Sequence, residues 1–315
     1  MTVDKRPRVL QMFGMSPTLD AALGQAYDIH NLASEQNPPA WLAEHGDRFE
    51  GLVTNARTGV SPEILAALPR LRVISIRGVG LDKIDLGEAR RRRIQVGNTP
   101  DVLTGCVADL AFGLVIDAAR KISAADRYVR SGRWKRQKFG LATRVSGKRL
   151  GIVGFGRIGR AIAKRASGFD MEVRCFNRSP VEYAGVIREP TVEALARWAD
   201  FLVVSIAGGA ETRHLISAGV LRELGPAGFL VNVARGSVVD EAALVEALVG
   251  GGIAGAGLDV LGDEPNVPEA LLTLDNVVLL PHVGSGTRET RQAMEELVLA
   301  NLEAFFRTGR VITPA

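Results

Sequence analysis

Short apolar runs alternate with amphipathic stretches along almost the whole chain. Residues 9–13, 51–54, 73–76 and 94–96 read as strands. Between them, Ser61-Pro62-Glu63-Ile64 sets an N-cap serine ahead of a proline at the first helical position, which predicts a helix over 61–68. Strands separated by helices predict a parallel sheet with crossover connections. Asn98-Thr99-Pro100-Asp101 interrupts the pattern, and a long helix is predicted over 102–131. Its apolar load (Val107, Leu110, Phe112, Leu114, Val115, Ile116) predicts burial between domains or against a second subunit. Residues 131–146 are polar and basic with Trp134, Phe139 and Leu141 interspersed, the pattern of a surface loop or of an arm that docks on a partner. A second alternation follows, with strands predicted over 149–153, 172–176, 201–205, 229–233, 254–259 and 277–280. Helices are predicted over 158–167, 192–198, 218–223 and 241–248, the last capped by Asp240. The final amphipathic stretch, 288–307, has no strand after it and is expected to return to the first domain.

With 315 residues the chain has room for about two domains. Hydrophobic residues at 46% and charged residues at 23% exclude disorder, collagen and coiled coil as the main architecture. Many glycines (35) and few aromatics (5%) fit an α/β enzyme with tight strand-to-helix turns. A net charge of +4 calls for no polyanionic partner, and Arg90-Arg91-Arg92-Arg93, without interleaved aromatics, reads as a solvated helix end rather than a nucleic-acid patch. Cys106 and Cys175 cannot form a disulfide framework and are expected to be reduced core thiols. The start of the chain carries Asp4, Lys5, Arg6 and Arg8 with no apolar signal segment behind them, and no apolar run reaches membrane-helix length. The expectation is a cytoplasmic enzyme, with no membrane, nucleic-acid or metal partner.

Gly154-Phe155-Gly156-Arg157-Ile158-Gly159 directly follows the strand at 149–153 and opens the next helix. In that context the glycines read as a dinucleotide fingerprint: Gly154 for the tight turn, Gly156 for backbone approach to a pyrophosphate, Gly159 for close helix–strand packing. The helix N-terminus adds N–H groups and a positive dipole for the anion. The following strand ends in Asn177-Arg178-Ser179, where an acidic residue would mark a site for a free ribose 2′-hydroxyl. A neutral residue, a cation and a hydroxyl instead predict pairing with a 2′-phosphate, hence NADPH over NADH.

Three further strands run into Val233-Ala234-Arg235-Gly236, Asp259-Val260 with Gly262-Asp263-Glu264-Pro265, and Pro281-His282-Val283-Gly284-Ser285. Ligands of open α/β sheets bind beyond the carboxyl ends of the strands, so Arg235, Glu264 and His282 are expected to converge beside a nicotinamide. His30, His45 and His214 lack such a setting.

Together with the fingerprint, these segments and Gly78-Val79-Gly80-Leu81-Asp82, Asn98-Thr99-Pro100-Asp101, Asp126-Arg127-Tyr128 through Trp134, and Pro281 through Thr287 resemble the D-isomer-specific 2-hydroxyacid dehydrogenase family over nearly the whole chain. Within it the resemblance is to NADPH-dependent glyoxylate/hydroxypyruvate reductases and hydroxyphenylpyruvate reductases. It implies two doubly wound parallel-sheet α/β domains: a flavodoxin-like substrate domain (1–99 plus 288–315) and a Rossmann cofactor domain (100–287) carrying a dimerisation helix and arm (102–147).

The resemblance also implies roles. His282 is the general acid, Glu264 the carboxylate that holds it charged, and Arg235 the cation for the substrate carboxylate. Val79 and Gly80 offer backbone N–H groups to the same carboxylate, and Ser285 lies near the substrate. Thr104, Arg157, Ile158, Val233, Ala234, Asp259 and Gly284 join Gly154, Gly156, Gly159, Asn177, Arg178 and Ser179 around the cofactor. A homodimer with Trp134 reaching the partner subunit is implied as well. A ketone accepting hydride develops alkoxide charge, which such a proton donor and fixed cation would meet. The sequence departs from the family at Ile206-Ala207-Gly208-Gly209-Ala210, where a proline-containing turn is usual, and at Gly105-Cys106 and Asp109. A corepressor-like nucleotide sensor and a phosphoglycerate dehydrogenase are the alternatives on the same fold. The preferred 2-keto acid stays open, with residues 11–17 and 55–59, Val79 and Trp134 expected around it.

Overall fold

The computed structural model describes residues 6–315, so the basic start of the chain at Asp4 and Lys5 lies outside the described residues. The chain forms two compact units, one of residues 1–103 with 287–315 and one of residues 104–286.

The first unit holds β1 (Arg8–Gln11), α1 (Pro17–Ala26), β2 (Asp28–Asn31), α2 (Pro38–His45), β3 (Gly51–Asn55), α3 (Pro62–Ala66), β4 (Val73–Arg77), α4 (Leu86–Arg91) and β5 (Gln95–Gly97), and it is completed by a helix from the far end of the chain (Arg288–Thr308). All its strands are parallel, in the order β2-β1-β3-β4-β5, a flavodoxin-like arrangement. Both faces are covered, so successive strand residues pack in opposite directions. Leu10, Leu52, Ile74 and Val96 pack with Leu42 and Leu65 on one face. Val9, Val53 and Val73 pack with Leu19, Leu23, Val298, Leu302 and Phe305 on the other. Ser16, Asn37 and Ser61 each accept a backbone N–H at the start of a helix whose next residue is proline.

The second unit runs α5 (Thr104–Arg120), α6 (Ile122–Arg130), β6 (Arg149–Val153), α7 (Arg157–Ala166), β7 (Glu172–Phe176), β8 (Val186–Arg188), α8 (Val192–Trp198), β9 (Phe201–Val204), α9 (Ala218–Leu224), β10 (Phe229–Asn232), α10 (Glu241–Val249), β11 (Gly255–Leu258), α11 (Glu269–Leu272) and β12 (Val277–Leu279). The helix over Arg288–Thr308 is therefore α12. The sheet is again wholly parallel, ordered β12-β11-β10-β9-β6-β7-β8, with the strand order reversing at β6.

Several expectations are corrected. The second sheet has seven strands, not six, because the half-exposed edge strand β8 carries no alternation. The helix expected over 102–131 is two helices, broken at Lys121, which adopts a left-handed conformation (φ 56°). Asp117 accepts the backbone N–H of Ser123 across that break. The apolar load of α5 is met inside its own unit: α5 packs on α7, β10 and β11, and Leu114 lies against Gly257. Of the two thiols only Cys175 is buried, and burial pushes its pKa up; Cys106 is half-buried. The arginine run does end a helix, yet Arg92 turns inward to donate to the carbonyls of Leu65 and Leu68.

Candidate active site

The fingerprint sits where the strand order of the second sheet reverses, between β6 and α7. Gly154 has φ 90°, and a Cβ there would stand 2.6 Å from the backbone of Ile206. A Cβ on Gly159 would strike the Gly154 carbonyl, so the helix can pack this close to the turn only without one. Gly156 is the N-cap of the ten-residue α7, no side chain caps it, and the space beside it is open. That is a cradle for an anionic group at a helix N-terminus, and the residues present fit a dinucleotide pyrophosphate.

The next turn is tied to this one. Asn177 accepts the Phe155 N–H (3.1 Å) and donates to the Ser179 carbonyl (3.1 Å), so its amide braces the loop. Arg178 pairs with Glu211 beyond β9, both side chains largely exposed. Arg188 on β8 donates to the carbonyls of Asn177 (2.8 Å) and Arg178 (3.4 Å). Glu211 and Arg188 escaped the sequence reading. Arg188 lies on the strand that was not anticipated, and Glu211 follows the segment at 206–210 that departs from the family pattern.

The loops after β10, β11 and β12 are laced together. Asn232, buried at the end of β10, accepts the Ala234 N–H (3.0 Å) and donates to the Arg235 carbonyl (2.9 Å), which shapes the turn carrying Arg235. The neighbouring Gly236 lies so close to the Leu261 backbone that a Cβ would overlap it. Three consecutive N–H groups of the loop after β12 converge on Asp259, 2% exposed at the end of β11. His282 N–H reaches its carbonyl (2.9 Å), Val283 N–H one carboxylate oxygen (2.7 Å) and Gly284 N–H the other (2.8 Å). Burial pushes the Asp259 pKa up, and the two backbone N–H bonds and His282 pull it partly back. These bonds hold His282 at φ 56°, a left-handed conformation that costs free energy in a non-glycine residue.

The imidazole of His282 meets Glu264 through Nδ1, 2.8 Å from one carboxylate oxygen and 3.1 Å from the other, with both side chains about three-quarters buried. That leaves Nε2 as the ring nitrogen available to a reactant. Glu264 also accepts the Leu261 N–H (3.3 Å).

The remaining sequence candidates fall as follows. Thr104 begins α5, Arg157 and Ile158 open α7, and Val233 and Ala234 are buried ahead of Arg235. Ser285 is half-buried beside Gly284. Val79 and Gly80 are half-buried in the loop after β4, in the first unit. Gln11 is buried and bonded to Asp20 (2.6 Å), so its side chain serves the fold of that unit. Among the described residues no group of His, Cys, Asp or Glu is arranged to hold a metal ion, and no helix is long and apolar enough to cross a membrane.

A parallel sheet with a glycine cradle at its switch point, and a histidine–carboxylate pair beyond neighbouring strand ends, defines a dinucleotide-dependent enzyme. Comparison with known proteins narrows the class. Residues 112–284 match the family model described as D-isomer specific 2-hydroxyacid dehydrogenase, NAD binding domain. The chain is 45% identical over 306 residues to glyoxylate/hydroxypyruvate reductase A of Arabidopsis thaliana, covering 97% of this chain and 98% of that protein. It is 43% identical to the 2-ketogluconate reductase of Gluconobacter oxydans, covering 99% of each. Its fold superposes with a TM-score of 0.91 on the NADPH-dependent glyoxylate/hydroxypyruvate reductase of Sinorhizobium meliloti solved with NADP and malonate, at 41% identity and covering 99% of this chain and 97% of that one. The chain belongs to the D-isomer-specific 2-hydroxyacid dehydrogenase family. It is an oxidoreductase acting on CH–OH groups with a nicotinamide cofactor.

Proposed function

We propose that this protein is an NADPH-dependent reductase of small 2-keto acids, of the glyoxylate/hydroxypyruvate type, yielding D-2-hydroxy acids. The observation that carries the chemistry is the His282–Glu264 pair, with Nδ1 committed to the carboxylate at 2.8 Å. In the doubly protonated ring Nδ1–H donates to Glu264 and Nε2–H is the proton delivered to the keto oxygen, so His282 is the general acid. A bound reduced nicotinamide supplies the hydride that the keto carbon receives. Arg235 holds the substrate carboxylate and polarises the carbonyl, Val79 and Gly80 offer the carboxylate their N–H groups, and Ser285 lies beside the substrate. In the reverse direction a neutral His282 takes up the alcohol proton.

The cofactor is held by Gly154, Gly156, Arg157, Ile158 and Gly159 at the pyrophosphate, and by Asn177, Arg178 and Ser179 at the adenosine ribose. Thr104, Val233, Ala234 and Gly284 also line the cofactor, and Asp259 lies near the nicotinamide carboxamide. Arg178 and Ser179 in place of an acidic residue support NADPH over NADH. Substrate-domain duties fall to 1–99 with 288–315 and cofactor duties to 100–287. The protein works as a cytoplasmic homodimer in which the dimerisation helix and arm at 102–147 pack on the partner subunit and Trp134 reaches across. The exposure of Trp134 (66%) and Leu141 (97%) supports that surface.

The test is a panel of glyoxylate, hydroxypyruvate, phenylpyruvate and 2-ketogluconate with NADPH and with NADH, followed at the nicotinamide absorbance, for wild type and His282→Ala. Turnover with NADPH that falls by about 10²–10⁴ in the variant is expected. Full activity in His282→Ala, or a preference for NADH, overturns the corresponding part.

A further inference from the structure

The proposed carboxylate site in the first unit depends on two backbone N–H groups, and a backbone N–H points wherever its peptide plane is turned. A trans peptide is planar, with its C=O and the following N–H directed oppositely. Whatever captures the carbonyls of residues 78 and 79 therefore aims the N–H groups of residues 79 and 80.

Two adjacent residues after β5 do so. Thr99 donates its backbone N–H to the Gly78 carbonyl (3.0 Å), and its hydroxyl accepts the Gly78 N–H (2.9 Å). The Asn98 side-chain amide donates to the Val79 carbonyl (3.3 Å). Thr99 is 0% exposed and Asn98 8%, so water does not compete for these bonds. Both carbonyls are turned toward 98–99, and the N–H groups of Val79 and Gly80 are turned to the opposite side. The clamp is itself anchored. Asn98 donates its N–H to the Thr313 carbonyl (3.2 Å), while its own carbonyl accepts from Asn301 (3.3 Å) and from the Thr313 hydroxyl (2.5 Å). Asn301, fully buried on α12, accepts the N–H groups of Ile312 (2.9 Å) and Thr313 (3.0 Å).

We propose that Asn98 and Thr99 are positioning residues that preorganise the Val79 and Gly80 N–H pair for the substrate carboxylate, with Asn301 and Thr313 as their support. This rests on the reading of Val79 and Gly80 as carboxylate donors given above. Neither side chain touches the substrate. The Asn98 amide and the Thr99 backbone N–H each set the direction of a donor that does, while the Thr99 hydroxyl holds the Gly78 N–H of the preceding peptide and so fixes the start of the turn. Misplacement by about 1 Å at such a site costs up to about 10² in rate.

The experiment is steady-state kinetics with glyoxylate and NADPH, plus inhibition by oxalate as an unreactive carboxylate probe, for Thr99→Val, Thr99→Ser, Asn98→Ala and Gly80→Pro. Asn98→Ala, which frees the Val79 carbonyl, and Thr99→Val, which keeps the backbone bond to the Gly78 carbonyl but leaves the Gly78 N–H without its acceptor, should each raise the glyoxylate KM and the oxalate inhibition constant by about tenfold. The KM for NADPH should stay within about twofold of wild type in both, and Thr99→Ser should restore wild-type values. Gly80→Pro removes a donor outright and should weaken oxalate at least as much. If Gly80→Pro weakens oxalate while Thr99→Val and Asn98→Ala do not, the positioning role is overturned and the carboxylate reading stands. Wild-type oxalate inhibition in Gly80→Pro overturns the carboxylate reading itself. A parallel rise in the KM for NADPH, or no rescue by Thr99→Ser, shows general damage to the fold and also overturns the proposal.

Discussion

Arg178→Ala should separate the two nicotinamide cofactors, and the structure sets the size of the effect. A guanidinium bonded to a phosphate contributes about 1.5–3 kcal/mol through charge-assisted hydrogen bonds, which is about 10- to 150-fold in KM. In this structure Arg178 is already paired with Glu211, so a 2′-phosphate has to displace that partner. The pair is 66% and 76% exposed on its two sides, which places it at the weak end of ion pairs, about 0.2–1 kcal/mol or about 1.4- to 5-fold. Glu211 therefore subtracts from the phosphate interaction without cancelling it. The expected KM for NADPH rises by about 2- to 100-fold in Arg178→Ala, with the KM for NADH within about twofold of wild type. Glu211→Gln should lower the KM for NADPH by up to about fivefold, and that gain should vanish when Arg178 is absent. The assay is initial-rate kinetics on the two single variants and the double variant with both cofactors at saturating glyoxylate. Equal rises in both cofactor KM values, or a Glu211→Gln gain that persists in the Arg178→Ala background, refutes the reasoning.

Other outcomes follow from the geometry. Glu264→Gln removes the charge from the bond to His282 Nδ1 and should lower kcat by about 10- to 100-fold while the cofactor KM holds, as read by saturation kinetics. Asp259→Asn opposes an amide N–H₂ to one of the two backbone N–H groups that its carboxylate accepts, so kcat should fall. In stability the difference between variant and wild type depends on pH. The folded Asp259 pKa lies above its ordinary 3.8, so the wild type loses stability as pH rises from 3.8 through the folded value, and the asparagine variant escapes that loss. The Tm difference between variant and wild type should therefore move in the variant's favour from pH 4 toward pH 7, and a gap that is constant or moves the other way contradicts it. Gly159→Ala forces a Cβ against the Gly154 carbonyl and should cost about 1–3 kcal/mol in denaturant unfolding, with a raised KM for both cofactors.

Much of this architecture is legible in the residues because the inner strands are buried on both faces and flanked by turn-forming residues. Val9-Leu10 and Val73-Ile74 are apolar in both directions, as a covered parallel strand requires. The strands without that signature, β2 and β8, are edge strands of half-exposed residues, and a pattern of burial cannot reveal a strand that is barely buried. The N-cap and proline signal that marks α3 is repeated at Ser16-Pro17 and Asn37-Pro38, so α1 and α2 were equally readable. The break at Lys121 was not, since a lysine in a left-handed conformation is dictated by its surroundings rather than its own preference. At the site, Arg235, Glu264 and His282 were visible as polar residues at strand ends. The three backbone bonds that Asp259 receives, and the Arg178–Glu211 pair, depend on loops whose relative placement only the folded chain specifies.

The return of α12 has a consequence during synthesis. Every strand of the second unit lies in one uninterrupted stretch, residues 149–279, so that unit is complete before the ribosome has made the last helix. The first unit has its described strands by residue 97, yet Val9, Val53 and Val73, covered on that face by Leu19 and Leu23 alone, lack the rest of their cover until Val298, Leu302 and Phe305 emerge. The earlier-made unit thus becomes the later-completed one, with part of an apolar sheet face left open for the time it takes to translate roughly 200 residues, about 10–40 s at ordinary elongation rates. For the nascent chain, that open face is the vulnerable surface, the one a chaperone would have reason to shield.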